Sequence, residues 1–217
     1  MQKIKTCFVL KRFLPNKNKL SVLTQDSGKI EIITRPINRI EELWPGMLLS
    51  CYIEKELTNS KIFTAQNIEI INSPIFNSTF NIDWAHLLLE ICYYFLPLHA
   101  PEPEIFELLN YALNINLIDY YFFHQELNII KKIFIVKILT YLGFYPTKNL
   151  IYYQAIYLDI IDSYINIIDK NKLKLLQTKL QSIKIEQIKQ INYWIISSLG
   201  THQNFRQFKT ICSLKNI

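Results

Sequence analysis

The chain has 217 residues, of which 50% are hydrophobic and 19% are charged, so it can bury a sizeable core. So low a charged fraction excludes a disordered polyelectrolyte. The formal net charge of +6 is compatible with a nucleic-acid partner but does not by itself indicate one.

The cations are concentrated at the two ends of the chain. Residues 1–40 hold nine Lys or Arg against two Asp or Glu, and residues 170–217 hold nine against one. Residues 41–169 are acidic, with six cations against fifteen anions. Two separate basic regions are therefore candidates for binding a polyanion.

Residues 3–71 have the pattern of five short β-strands separated by turns. Asp26-Ser27-Gly28 and Pro45-Gly46 are typical turn sequences. Five short strands in so short a segment favour a closed barrel, because closure removes the exposed edges of a sheet. In the first strand the predicted apolar face consists of Ile4, Thr6, Phe8 and Leu10.

After Asn72-Ser73-Pro74 the apolar period changes from two residues to about 3.6, which predicts helices. Asp83 is the predicted N-cap of the first helix, and Pro103 suits the first turn of the second. A long helix is predicted from Asp119 to Leu142, with Gly143 as its stop. Further helices are predicted near 154–168, 172–183 and 186–200. The predicted fold class is α+β, with a barrel domain at 1–75 and an all-helical domain at 76–217.

No motif in the sequence indicates an enzyme. The chain has no P-loop and no G-x-S-x-G sequence, and its four cysteines are widely spaced without a C-x-x-C pair. We therefore expect neither catalysis nor a cofactor nor a bound metal. The absence of an uncharged stretch of about 18 apolar residues predicts no transmembrane helix, and we expect a cytoplasmic protein.

Three stretches in order resemble the bacterial recombination mediator RecO. They are FVLKRFLPNKNKLSVLTQDSGKIEIITR (8–35), LLLEICYYFLPLHAPEPEIFELLNYAL (87–113) and FIVKILTYLGFYP (134–146), which together span about a third of the chain. The resemblance implies an N-terminal OB-fold barrel followed by a helical domain. It also implies a mediator of DNA repair and homologous recombination in the RecF pathway, associated with the nucleoid.

The resemblance implies several partners. They are single-stranded DNA, the C-terminal tail of single-strand-binding protein, a RecR-like protein and, indirectly, the RecA recombinase; it implies strand annealing as well. Duplex binding stays open.

Two departures from the family limit what the resemblance implies for this chain. Residues 147–158 contain no Cys, so the family's zinc site is not expected, and the basic segment at 34–44 is reduced to two arginines. This reduction motivates one alternative, an interaction scaffold with little DNA binding. A second alternative is an RNA-binding OB module, because barrels of this type also bind RNA.

A basic groove beside an aromatic platform is how OB-folds bind single strands. The cations near the N-terminus could form the groove and Phe13 the platform; the alternative is a solvated basic rim with Phe13 half-buried. The predicted DNA-binding residues are Lys11, Arg12, Phe13, Lys17, Lys19, Lys29, Arg35 and Arg39.

Two further surfaces are predicted. The resemblance implies that the acidic, aromatic-ended tail of single-strand-binding protein docks on the helical domain, and a cationic rim beside an apolar pocket would suit such a tail. The candidate residues are Lys131, Lys132, Phe134 and Lys137. The other reading makes Phe134 core and the lysines solvated. The second basic region is a candidate second nucleic-acid contact or simply a solvated face, and it consists of Lys170, Lys174, Lys184, Lys189, Arg206 and Lys209.

Overall fold

The fold is taken from a computed structural model that describes residues 4–13, 18–34, 43–55, 62–74, 79–114, 122–146, 148–165 and 169–203. The chain divides into two compact units, Met1–Leu109 and Asn110–Ile217. The division falls inside a helix, Pro103–Leu113. The first unit therefore contains helical as well as strand elements.

The five predicted strands are present and close into a barrel in the order β1-β2-β3-β5-β4. All neighbouring pairs are antiparallel except β3 and β5, which pair in parallel from Glu31 onward. This arrangement confirms the predicted OB-like barrel followed by helices. The strands are β1 (Ile4–Arg12), β2 (Lys19–Thr24), β3 (Gly28–Thr34), β4 (Leu48–Lys55) and β5 (Ile62–Asn72).

The barrel interior is filled by alternating side chains, among them Cys7 and Val9 of β1 and Leu20 and Val22 of β2. The prediction for β1 chose the opposite face and was wrong in this detail, because Ile4 is 62% exposed. Phe8 is nevertheless buried, since its ring lies 5.0 Å from that of Phe106 on a helix outside the barrel. When both faces of a strand carry apolar residues, the alternation of the sequence does not identify which face lies in the barrel interior.

Helix α1 (Thr79–Phe95) packs on β1 within the first unit. It begins four residues before the predicted N-cap, so Asp83 lies inside the helix and that prediction was wrong. Helix α2 (Pro103–Leu113) begins at the predicted proline and crosses the division between the two units.

The second unit is a cluster of helices around α3. Helix α3 ends as predicted: Gly143 has a φ of +89° at C′. The Phe144 and Gly143 N–H groups donate to the Leu139 and Thr140 carbonyls, which is a Schellman motif. The buried Glu126 carboxylate accepts from the Phe123 N–H and from the Gln181 amide, and so joins the start of α3 to the end of α5. The helices are α3 (His124–Tyr141), α4 (Tyr152–Ile165), α5 (Lys170–Gln181) and α6 (Ile185–Gly200), with a 3₁₀ turn at Lys148–Leu150.

Candidate nucleic-acid interface

A β-bulge places Lys11 on the outside of the barrel. Val9 pairs with the inward-facing Val22, but the register shifts by one residue, so Lys11 pairs with Ser21. Without the extra residue, strict alternation would turn Lys11 into the apolar interior, where an unpaired ammonium is very costly. The bulge therefore gives β1 a cation on its outer face near its C-terminal end.

The ends of β1 and β2 bring two predicted cations over one ring. The Phe13 N–H donates to the Lys19 carbonyl at 3.1 Å, which holds the two strand ends together. The Lys19 Nζ lies 4.7 Å and the Lys11 Nζ 5.5 Å from the centroid of the Phe13 ring. Because both distances are within cation–π range, the half-buried Phe13 and these lysines form one local site.

Helix α1 supplies the fourth member of this site. The Lys11 Nζ lies 4.2 Å from the centroid of Tyr93, whose ring meets Phe13 edge-on at 6.3 Å. We call Lys11, Phe13, Lys19 and Tyr93 the lysine–aromatic cluster. Tyr93 was not among the predicted site residues, because it is distant in the sequence and only the packing of α1 on the barrel places it here.

The positive charge of the lysine–aromatic cluster is partly balanced. The Lys19 Nζ lies 2.6 Å from the Glu31 carboxylate, and both side chains are about 26% exposed. Within the described part of the chain, Lys11 has no carboxylate partner. Lys11 is thus the stronger candidate for a phosphate contact, and Lys19 would have to exchange Glu31 for one.

Lys29 is buried, whereas the prediction placed it in an exposed groove. Its Nζ donates a hydrogen bond of 2.6 Å to the Tyr93 carbonyl. Burial lowers the pKa of this ammonium, while charge interactions with Cys92 and Glu31 act in the opposite direction. An exposed groove cannot include a cation that is already enclosed, so the prediction that Lys29 lines one is corrected: it joins α1 to β3.

Arg12 points to a different aromatic residue. Its guanidinium carbon lies 5.8 Å from the ring of Trp44, which is 58% exposed. Hydrogen bonds from the Gly46 N–H to the Val9 carbonyl and from the Val9 N–H to the Met47 carbonyl fix the Pro45-Gly46 turn against β1. Trp44 was not predicted either, although its position beside a Pro-Gly turn could have suggested an exposed aromatic residue.

Some of the predicted positions lie outside the described residues. For the barrel they are Lys17, Arg35 and Arg39, and for the second basic region they are Arg206 and Lys209.

The described members of the second basic region are all exposed. Lys170 and Lys174 lie on α5, Lys189 lies on α6, and Lys184 immediately precedes α6. Two neighbouring lysines have structural partners, since Lys172 pairs with Asp162 and Lys179 with Asp159 between α5 and α4. The exposure of these lysines is compatible with both alternatives, a contact to a polyanion and a solvated face.

The predicted rim on α3 is mostly enclosed. Lys131, Lys132 and Phe134 are 0%, 3% and 1% exposed. Lys137 is half-buried, and its Nζ lies 4.7 Å from the ring of Tyr141. An acidic tail cannot reach buried ammonium groups, so the expectation of an exposed cationic rim is corrected for the first three residues. Phe134 is core, in edge contact with Tyr157 at 5.6 Å.

The described residues contain neither a metal-binding cluster nor a membrane-spanning helix. No cluster of three or more His, Cys, Asp or Glu side chains there could hold a metal ion. None of the helices in those ranges combines the length and hydropathy needed to cross a membrane.

Among the described residues, the lysine–aromatic cluster and the Arg12–Trp44 pair are thus two cation–aromatic sites near the C-terminal end of β1. In comparisons of the sequence, no protein-family model and no curated protein matches the chain. Neither comparison therefore assigns a family or a function to the chain.

Proposed function

We propose that the chain binds single-stranded DNA with its barrel and acts as a non-enzymatic mediator of DNA repair and recombination. The observation that carries the proposal is the convergence of Lys11 and Lys19 on Phe13. This convergence lies beside the β1–β2 connection of an OB-ordered barrel, a region that OB-folds use to bind oligonucleotides. Aromatic rings stack bases and cations contact phosphates, so the site has the parts that such binding needs.

The number of available cations limits the expected affinity. Lys29 is enclosed, which leaves Lys11, Arg12 and Lys19 as described candidates for phosphate contacts. Three contacts to a single strand predict a salt slope of about −2, or roughly a 20-fold loss of affinity between about 50 and about 200 mM salt. Sequence preference is not expected, because phosphate contacts and stacking do not read base edges.

The mediator role is proposed from the resemblance to RecO. It includes annealing, binding to single-strand-binding protein, and work with a RecR-like partner to load RecA. Lys170, Lys174, Lys184 and Lys189 support the annealing part, since a second exposed basic surface could hold a second strand. The tail of single-strand-binding protein would need a surface other than the buried Lys131, Lys132 and Phe134.

Replacing Lys11 by Met is expected to reduce the slope of log affinity against log salt by about 0.7, because one phosphate contact to a single strand is lost. Methionine preserves the apolar stem that packs near Tyr93, so folding should be unaffected. The measurement is fluorescence anisotropy of a labelled oligothymidine at several salt concentrations. Lys148→Met is the matched control, since Lys148 is an exposed lysine in the second unit outside all three predicted surfaces.

Two outcomes of this titration would count against the proposal. The first is no binding by the unmodified chain at about 50 mM salt, where phosphate contacts are strong. The second is an equal change of slope in the Lys11→Met and Lys148→Met variants, which would indicate diffuse attraction to the net positive charge rather than a site on the barrel.

The scaffold alternative is favoured by one observation. Two of the predicted barrel cations are engaged within the protein, Lys29 with the Tyr93 carbonyl and Lys19 with Glu31. If joint replacement of Lys11, Arg12 and Lys19 by Ala leaves the affinity unchanged, the barrel is not the DNA site and the scaffold function gains. The RNA-binding alternative is tested by competition between RNA and DNA strands of equal length.

A further inference from the structure

Trp44 is unusual among the three tryptophans of the chain because it is open to solvent. Its exposed fraction is 58%, whereas Trp84 is 1% exposed in the core and Trp194 is half-buried on α6. An indole presents a large flat apolar surface, so its exposure is costly unless something covers it. Exposed tryptophans are accordingly common at binding surfaces.

The backbone that carries Trp44 is held in place. Its N–H lies 3.3 Å from the Met47 sulfur, and its carbonyl accepts from the Met47 N–H at 3.3 Å. Gly46 completes the turn with a φ of +93°, and a Cβ added there would lie 3.1 Å from the Pro74 ring. Because the turn is fixed before any ligand binds, little conformational entropy of the backbone would be lost on binding.

Arg12 gives this surface a charge. Within the described residues no carboxylate pairs with its guanidinium, and its buried Nε has no hydrogen-bond partner there. No carboxylate of the described residues therefore neutralises this charge, and the guanidinium lies beside the indole. A flat apolar ring next to a guanidinium matches a nucleotide, in which a flat base adjoins a phosphate.

From this geometry we propose that Trp44 is a stacking platform for one base of single-stranded DNA and that Arg12 binds the phosphate beside that base. The inference rests on the proposed function and extends it. It adds a second contact point to the lysine–aromatic cluster, which lies on the neighbouring part of the same β1 end. A strand that crosses both sites would follow the C-terminal end of β1.

Intrinsic fluorescence tests the stacking directly, because a base stacked on an indole quenches its emission. Titration with unlabelled oligothymidine is expected to quench the unmodified chain and the Trp194→Phe variant alike. The Trp44→Phe variant should lose the quenching but still bind labelled oligothymidine, since Phe also stacks. Trp44→Ala should weaken binding by about tenfold, given the usual strength of base–aromatic stacking.

The outcomes separate this inference from the proposed function. If the unmodified chain binds labelled DNA but its quenching persists in Trp44→Phe, the stacking site is wrong and the proposed function stands. The same conclusion follows if Trp44→Ala binds as tightly as the unmodified chain. If the unmodified chain binds no DNA, both fail. A normal urea midpoint for Trp44→Ala, expected for an exposed side chain, excludes misfolding as the cause of weak binding.

Discussion

Replacing Gly28 by Ala is expected to destabilise the first unit by about 4 kcal/mol, through strain, overpacking and a lost hydrogen bond. Gly28 has a φ of +68°, which an L side chain rarely adopts, and a Cβ there would lie 1.8 Å from the Ala100 carbonyl oxygen. The obstruction is backbone, so no rotamer change relieves it. Strand β3 and the segment after α1 would have to separate.

That separation would break a defined connection. Strand β5 reaches β3 only from Glu31 onward, and Leu98 pairs with Lys29 along the edge that β5 leaves uncovered. The His99 N–H donates to the Lys29 carbonyl at 2.9 Å, so the segment adds a backbone hydrogen bond to the barrel. Native-state hydrogen exchange read on peptides of β2 and β3 should therefore show lower protection in Gly28→Ala.

Gly200 provides the matched control. It is the last residue of α6, its φ is not positive, and nothing lies within 4 Å of an added Cβ. Gly200→Ala should be neutral or stabilise the second unit by up to about 1 kcal/mol through higher helix propensity. Equal protection of the barrel in Gly28→Ala and in the unmodified chain would show that Ala100 does not pack on Gly28.

The barrel was predictable because its turns and strand lengths are local properties. The Asp26-Ser27-Gly28 turn and the short runs of β-branched and aromatic residues required no knowledge of the packing. The interior face of β1 was not predictable, since α2 covers Phe8 on the outside while Cys7 and Val9 fill the inside. Alternation identifies a face only when one side of the strand is polar.

The helix ends show a similar contrast. Gly143 was correctly predicted as a stop because a glycine at C′ satisfies the last carbonyls by a local mechanism. Asp83 has the right chemistry for an N-cap, but the helix continues through it from Thr79. A good capping residue competes with continued helix formation, and here the preceding residues extend the helix.

The candidate site was predictable in composition but not in arrangement. The cation-rich N-terminal segment identified Lys11 and Arg12, which directly follow the bulge after Val9, yet the two side chains contact different aromatic residues. Neither Tyr93 nor Trp44 could be assigned to the site from sequence, since both reach it through tertiary packing. Lys29 and Lys132 were predicted to be exposed but are buried, because the sequence does not indicate whether a given lysine is buried in the folded chain.

Replacing Lys132 by Met is expected to stabilise the second unit by about 3 kcal/mol near pH 7, given about 1.4 kcal/mol per pKa unit. Lys132 is 3% exposed, and burial lowers the pKa of its ammonium from 10.5 to about 8. At pH 7 the group is still charged in the folded chain and so bears the cost of its lost hydration. Methionine has a similar shape and no charge to desolvate.

The pH dependence of this effect separates desolvation from simple repacking. Between about pH 8 and 10.5 the unfolded chain binds more protons at Lys132 than the folded chain does, so stability rises with pH in that window. Below pH 8 both states are protonated, and above 10.5 neither is. The advantage of Lys132→Met should therefore shrink across this window, and the buried Lys29 contributes equally to both proteins.

The difference in stability between Lys132→Met and the unmodified chain is measured by hydrogen exchange on peptides of α3 from about pH 7 to 10, with rates corrected for intrinsic exchange. The charge-matched control is Lys148→Met, since Lys148 is exposed. A constant advantage at every pH would mean that Lys132 lies in an environment that hydrates its ammonium. Its burial on α3 would then be only apparent, and the possibility of docking an acidic tail there would reopen, because a hydrated cation can exchange water for a carboxylate.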